Sequence, residues 1–288
     1  MLFKGFTYAR IMCYTTIHLE VNAMDIIKYY SIERDDITDL DIRNGMYMGE
    51  LLGDEYYKIT KLPPVNFNEL SLKVKFTFNR YCNDKIVSKT NETKFFYLPS
   101  GGNLTYSFNT RAIIKNSKEI ESTIFLPDKF DRASYAFFGH QIHHVLKDDN
   151  VNEIKLEKRV TDTIPLFYEL LCVDSEYSKN ININTSEGMI TSRDIANEIL
   201  KRRIFLLQIE KGSGYDEDTL QLLNSFYLAL GLYKKYKEDE ILVLRLISRV
   251  LLGELTTLDL LVMLDLYEKD LDYIVSRELE TIKQNIRS

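Results

Sequence analysis

A change in hydrophobic periodicity near Pro127 constrains the fold more than any other feature of this sequence. Over residues 70–125, runs rich in β-branched and aromatic residues alternate with polar ones, a period of two that is typical of strands with one buried face. Leu72, Val74, Phe76 and Phe78 show this alternation most clearly. Turn residues at 99–103 and 116–117 separate the runs. The segment predicts an antiparallel sheet of three to five strands.

After Pro127 the periodicity becomes helical and stays so. Residues 131–147 predict one helix, and a second begins near Pro165 because proline is favoured in the first turn. Residues 174–192, rich in Ser, Asn and Thr, predict a loop. Further helices are predicted after Thr191, over residues 216–236 and 238–252, and from Thr256 as one last long helical segment. Strands followed by helices indicate an α+β fold rather than alternating βαβ units.

The same pattern suggests how the chain divides. Met24 opens the first segment with clear patterning, so residues 1–23 are either a non-native or disordered extension or part of the native chain. Residues 24–173 would hold the sheet and the first helices. Residues 191–288 would form a helical subdomain packed on them.

Composition narrows the class of protein. The net charge of −6 is modest, and Lys and Arg are scattered among acids, so no basic surface for nucleic acid is expected. Cys13, Cys82 and Cys172 are too few and too far apart for a disulfide framework, which favours a reducing compartment. No apolar run approaches the roughly 20 residues of a membrane span. We therefore expect a cytoplasmic protein that binds neither nucleic acid nor membrane.

Three of the four histidines fall within five residues, at His140, His143 and His144. On a helix His140 and His144 are one turn apart and project from the same face, the spacing that lets two imidazoles share a metal ion. His143 points partly elsewhere, but it could act as a base if it turned toward that ion. The cluster is the most concentrated chemistry in the chain and predicts a metal site.

The motif His-Gln-x-x-His at residues 140–144 resembles the His-Glu-x-x-His motif of the zincins, especially the gluzincin peptidases related to thimet oligopeptidase. In that family both histidines bind zinc, and a glutamate on a helix about 20 to 25 residues further on is the third ligand. The resemblance implies a zincin-like fold over about residues 65–175, zinc as cofactor and a peptide or protein segment as partner. The expected third ligand falls on Thr163, so Asp162 or Glu169 would have to replace it.

The resemblance is incomplete at the position of the general base. Gln141 occupies the position of the catalytic glutamate, and an amide has no titratable form in the accessible range. Loss of general acid–base help costs on the order of 10² to 10⁴ in rate. The expectation is a metallopeptidase-like protein that is either weakly active or an inactive pseudoenzyme.

Other interpretations stay open beside this one. The histidines could be structural and capped by carboxylates without metal, Asp162 could be the N-cap of the following helix, and Glu169 an ordinary helix residue. The protein would then be a non-enzymatic interaction protein, with the apolar region at 239–267 as its interface instead of its core.

Overall fold

The computed structural model describes residues 34–81, 94–97, 109–115, 119–127, 129–148, 160–266 and 271–287. The predicted extension at residues 1–23 lies outside this part of the chain. So do the predicted turns at 99–103 and 116–117.

Helices dominate the described residues, in agreement with an α+β fold whose helical part is the larger. The helices are α1 Arg34–Leu52, α2 Phe67–Phe78, α3 Ser134–Asp148, α4 Thr163–Lys179, α5 Ser192–Ser213, α6 Glu217–Glu238, α7 Glu240–Leu251, α8 Thr257–Met263 and α9 Leu271–Arg287. The strands are β1 Pro64–Val65, β2 Lys94–Tyr97, β3 Asn109–Lys115, β4 Glu119–Leu126, β5 Phe130–Asp131, β6 Asn182–Thr185 and β7 Gly188–Thr191.

The main sheet has three strands in the order β2-β4-β3. β3 and β4 pair antiparallel, with Ile114 opposite Ile120, whereas β2 and β4 pair parallel, with Lys94 opposite Thr123. The expected fully antiparallel sheet is therefore wrong in one of its two pairings. Because β2 and β3 are not neighbours, the chain between them is not a hairpin connection.

The first predicted strand is also wrong, because residues 67–78 form helix α2. Asn66 begins it by accepting a hydrogen bond from the Glu69 backbone N–H, and an N-cap of this kind favours helix over strand. Leu70, Val74 and Phe78 are buried at a spacing of four, while Leu72 and Phe76 are about two-thirds exposed. Leu72 and Phe76 give the sequence the alternation of a strand, although the buried residues have the spacing of a helix.

The next two helices were predicted closely. α3 spans Ser134–Asp148 and α4 begins at Thr163, two residues before Pro165. The loop expected over residues 174–192 is wrong, because α4 continues to Lys179 and a hairpin of β6 and β7 follows. Asn180 ends α4 in the left-handed conformation with a φ of 42°, which asparagine tolerates better than most residues.

The predicted helix starts in the C-terminal half are confirmed. Thr191 with Asp194, and Thr256 with Asp259, form capping boxes in which both reciprocal bonds are present. The last long segment from Thr256 is wrong as one helix, because α8 ends at Met263 and α9 begins separately at Leu271.

Packing places α3 at the junction of the sheet and the helices. α3 contacts β3, β4, α2 and α4, while α6 packs against α1, α4 and α9. α1 from the N-terminal part thus lies along α6 from the C-terminal part. Most apolar residues of α7 and α8 are buried, so this region contributes to the core.

No helix among the described residues combines the length and the apolar character that crossing a bilayer requires.

Candidate metal centre

The helix that carries the histidines is fixed at its first turn by a buried ionic cluster. Asp131 Oδ1 accepts hydrogen bonds from the Ala133 backbone N–H and the Ser134 hydroxyl, each at 3.1 Å. The Arg202 guanidinium on α5 binds both oxygens of Asp131, and its Nε donates to Glu198 at 3.0 Å. The start of α3 is thereby anchored to α5.

α3 also lies unusually close to α4. A Cβ at Gly139 would collide with the ring of Tyr168 on α4, so a residue without a side chain is needed there. One turn further along α4, the Tyr135 hydroxyl donates to the Cys172 carbonyl at 3.1 Å. This close packing brings the start of α4 beside His140 and His144.

Three side chains converge at this junction: His140 and His144 from α3, and Asp162 immediately before α4. Nε2 of His140 and Nε2 of His144 are 3.1 Å apart. Asp162 Oδ1 lies 3.4 Å from the His140 Nε2 and 3.0 Å from the His144 Nε2. These three atoms form a nearly equilateral triangle and offer one ligand atom each.

The dimensions of the triangle fit a small divalent ion. In tetrahedral coordination with bonds of roughly 2.05 Å, two ligand atoms are about 3.3 Å apart. The three observed separations of 3.0, 3.1 and 3.4 Å bracket that value. Two imidazole nitrogens and one carboxylate oxygen are also a donor set that suits zinc and other first-row metals.

Asp162 stands at the N-cap position of α4, as the structural interpretation expected, but it does not cap. Its side chain makes no hydrogen bond to the helix N-terminus, and its backbone has αR angles of −83° and −4°. Its carboxylate faces the two histidines instead. An N-cap bond is worth about 1 kcal/mol, so this orientation favours the histidines over helix stability.

The three ligand residues differ in their exposure to solvent. The His140 side chain is 6% exposed, whereas those of His144 and Asp162 are 20% and 27% exposed. His144 and Asp162 are thus partly accessible to solvent. Three protein ligands are the number typical of catalytic zinc, whereas structural zinc usually has four.

The buried side of His140 meets a second carboxylate. Its Nδ1 lies 2.8 Å from Glu169 Oε1, an ion-pair distance at an angle outside ordinary hydrogen-bond geometry. Arg203 on α5 holds Glu169 with both prongs of its guanidinium, Nε donating to Oε2 at 2.7 Å and Nη2 to Oε1. Glu169 therefore lies on the Nδ1 side of the ring, away from the triangle.

Electrostatics at the site favour charged carboxylates. Burial would raise the pKa of Asp162, but hydrogen bonds from His140 and His144 outweigh it and hold that pKa well below its usual range. Burial likewise opposes the shift of Glu169, whose pKa is lowered by the Arg203 charge and by His140. Burial lowers the pKa of His140, but its contacts with the Asp162 and Glu169 carboxylates outweigh burial and raise that pKa.

His143 is separate from this group. Its ring is fully buried, with Nδ1 2.8 Å from the Gly139 carbonyl and Nε2 2.9 Å from the Tyr81 hydroxyl. Phe78 and Tyr168 pack against it at ring distances of 4.7 and 4.9 Å. The structure thus places the predicted alternative base inside an aromatic cluster, where both nitrogens are engaged.

The two remaining predicted positions contribute no ligand atom to the triangle. Gln141 is half-buried and follows His140 on α3. Thr163, where the family resemblance put the third ligand, is fully buried, and its Oγ1 has no hydrogen-bond partner. Asp162, one residue earlier, supplies the oxygen that approaches the histidines.

Sequence reasoning missed Arg203. The sequence does carry a clue to its role, because Arg203 lies next to the apolar stripe of α5 that includes Ile199, Ile204 and Leu207. An arginine in that position is largely buried and needs a carboxylate partner. No family model, curated protein or solved structure matches the chain.

Proposed function

We propose that this protein binds one zinc ion through His140, His144 and Asp162 and is a zincin-like, metallopeptidase-related protein with weak hydrolytic activity or none. The observation that carries the proposal is the triangle of ligand atoms with sides of 3.0, 3.1 and 3.4 Å. The neighbourhood supports it, since a β-sheet precedes the histidine helix and packs on it.

The chain's own residues account for the low activity. When bound, zinc supplies a Lewis acid that polarises a carbonyl and lowers the pKa of water toward about 7. Hydrolysis also needs a proton acceptor that later protonates the leaving amine. Gln141 cannot accept a proton, Glu169 is buried and paired with Arg203, and His143 is engaged elsewhere. Neither predicted catalytic residue, Gln141 or His143, therefore offers a base to the triangle.

A peptide or protein segment is the partner that this arrangement favours. Within the described residues β2 and β3 each pair only with β4 and are edge strands of the main sheet. An extended segment can add to such an edge through main-chain hydrogen bonds. α3 contacts β3, so a segment bound there would run beside the histidine helix.

Metal content tests the proposal. We expect about one zinc per chain in wild-type protein stripped with a chelator, reloaded and analysed for elements, and loss of that zinc in the His140→Ala/His144→Ala double variant and in Asp162→Asn. His143→Gln and Glu176→Gln are matched controls, because they change a buried histidine and a buried carboxylate of the same helices outside the triangle. Both should retain zinc.

Two results would favour a different function. No metal at any pH from about 6 to 8 would favour the rival function, a non-enzymatic interaction protein whose histidines are held by Asp162 and Glu169 alone. Stoichiometric iron in place of zinc would point to oxygen chemistry, because two histidines and one carboxylate are also the ligands of non-haem iron sites.

The hydrolytic part has its own test at the altered position. Gln141→Glu restores the carboxylate of the family motif, so zinc-loaded variant protein should cleave a mixed peptide library faster than wild type by up to about 10² to 10⁴. Gln141→Met removes the amide without supplying a base and serves as the control. An unchanged rate in Gln141→Glu protein that still binds zinc would count against a competent cleft.

A further inference from the structure

His140 can bind a metal through Nε2 only if its single ring hydrogen is on Nδ1. A neutral imidazole carries its hydrogen on one nitrogen, and the partner of that nitrogen selects the tautomer. His140 is 5% exposed, so water contributes little to this choice. Two carboxylates compete for that hydrogen, Asp162 at Nε2 and a second one at Nδ1. An ion that binds Asp162 and Nε2 would leave only the carboxylate at Nδ1 as its acceptor.

The group at Nδ1 is Glu169. Its Oε1 is 2.8 Å away, and Nδ1 has no hydrogen-bond partner of good geometry. A carboxylate accepts hydrogen bonds and cannot donate one when ionised, so it favours hydrogen on Nδ1 and leaves Nε2 facing Asp162 and His144. We propose that Glu169 and Arg203 are positioning residues that fix the tautomer and orientation of His140 for metal binding. The inference rests on the proposed zinc site.

Arg203 offsets the free-energy cost of burying the Glu169 charge. It comes from α5 and approaches both oxygens of Glu169, so the carboxylate has a fixed plane and cannot swing toward Nε2. The pair adds no net charge, since one cation and one anion cancel. Asp162 remains the only carboxylate of the group that faces the ion directly.

This geometry separates Glu169 from the ligands. Asp162 contacts the Nε2 edge of the His140 ring and Glu169 the Nδ1 edge. An ion bound to Nε2 lies beyond one edge of the ring, while the Glu169 carboxylate lies beyond the other. A carboxylate that orients a ligating histidine typically changes metal affinity by about 10- to 100-fold when it is removed.

Zinc affinity in competition with a chromogenic chelator is the first readout. We expect Glu169→Ala to weaken binding about 10- to 100-fold at an unchanged stoichiometry of one ion. Glu169→Gln keeps the shape and an acceptor oxygen and should lose less. Arg203→Lys removes the fork and should fall between wild type and Glu169→Ala. Glu176→Gln, a buried carboxylate on the same helix paired with Lys73, should bind zinc like wild type.

Nitrogen NMR of zinc-loaded protein labelled at histidine is the second readout. If Glu169 had only a structural role, its substitution would not change the His140 tautomer. Wild type should show the His140 hydrogen on Nδ1, whereas Glu169→Ala should show a mixture of tautomers or exchange broadening. Glu169→Gln keeps the acceptor and should retain the wild-type tautomer.

The outcomes distinguish this inference from the zinc site itself. Absence of zinc from wild type overturns both. Zinc that depends on His140, His144 and Asp162 but binds Glu169→Ala as tightly as wild type overturns only the positioning role. A changed visible spectrum of the cobalt-substituted Glu169→Gln protein would make Glu169 a ligand and would also overturn it.

Discussion

Arg202 joins two buried carboxylates at the start of the histidine helix, and its replacement by methionine tests how that helix is held. The guanidinium contacts Asp131 at 2.9 and 2.5 Å, Glu198 at 3.0 Å and the Thr60 carbonyl at 3.4 Å. Asp131 and Glu198 are each 2% exposed at the side chain. Methionine keeps much of the apolar stem and removes every one of these bonds.

The cost can be worked out from Glu198. Burial already outweighs the Thr60 N–H and Arg202 and raises the pKa of Glu198 above 4.5. The penalty from this carboxylate has an upper limit, because the group can always take up a proton. Relative to the ordinary glutamate pKa of 4.5 in the unfolded chain, protonation at pH 7 costs 1.36 × (7.0 − 4.5), or about 3.4 kcal/mol. At pH 5 the same step costs about 0.7 kcal/mol. Breaking a buried pair costs about 3 to 5 kcal/mol in general, which agrees.

We therefore expect Arg202→Met to lower the free energy of unfolding by about 3 kcal/mol at pH 7. At pH 5 this loss should be smaller, by up to about 2.7 kcal/mol. The sign follows because the folded variant holds a proton that the unfolded chain has released, so its stability falls as pH rises. Urea unfolding of metal-free protein, followed by circular dichroism at both pH values, measures the difference.

Arg249→Met is the control, since its pair with Glu254 is 21% and 52% exposed and should be worth less than about 1 kcal/mol. A loss of under about 1 kcal/mol for Arg202→Met at pH 7, or an equal loss at pH 5 and pH 7, would show that Arg202 does not stabilise a buried charge at Glu198.

Three further predictions concern the helix and the metal. Gly139→Ala should destabilise the protein by about 1 to 3 kcal/mol in urea unfolding, because its methyl group meets the Tyr168 ring; Gly212→Ala, with open space around it, should not, and equal effects would contradict this packing. His143→Gln should lower stability by about 0.5 to 3 kcal/mol yet keep one zinc per chain, and loss of zinc would place His143 in the site. Zinc affinity, measured by chelator competition from pH 8 to pH 5, should begin to fall above pH 6.5. The reason is that the raised pKa of His140 lets protons compete with zinc at a higher pH than they would at an ordinary histidine. Half-maximal affinity at a pH below 6.5 would contradict that shift.

The candidate site was largely predictable because its first two members are local in sequence. A spacing of four on a helix brings His140 and His144 together whatever the rest of the fold does. Asp162 could be named as a candidate but not chosen over Glu169, because the choice depends on how α4 lies against α3. The close approach of Gly139 and Tyr168 that sets this packing has no signal in a hydrophobic pattern.

The main error of fold prediction, at residues 67–78, has a physical explanation. Leu72 and Phe76 are apolar residues that the helix leaves largely exposed, and together with Val74 and Phe78 they imitate the alternation of a strand. The N-cap at Asn66 and the spacing of Leu70, Val74 and Phe78 carry the opposite signal. The helix forms because Asn66 caps its N-terminus and because the buried face of α2 packs on α3.

X-ray absorption at the zinc edge of the loaded wild-type protein tests zinc binding by His140, His144 and Asp162. We expect nitrogen and oxygen atoms at about 2.0 to 2.1 Å from the zinc, with outer scattering from two imidazoles, and loss of that scattering in the His140→Ala/His144→Ala variant. Sulfur at about 2.3 Å, fewer than two imidazoles in wild type, or a spectrum unchanged by the double substitution would contradict it.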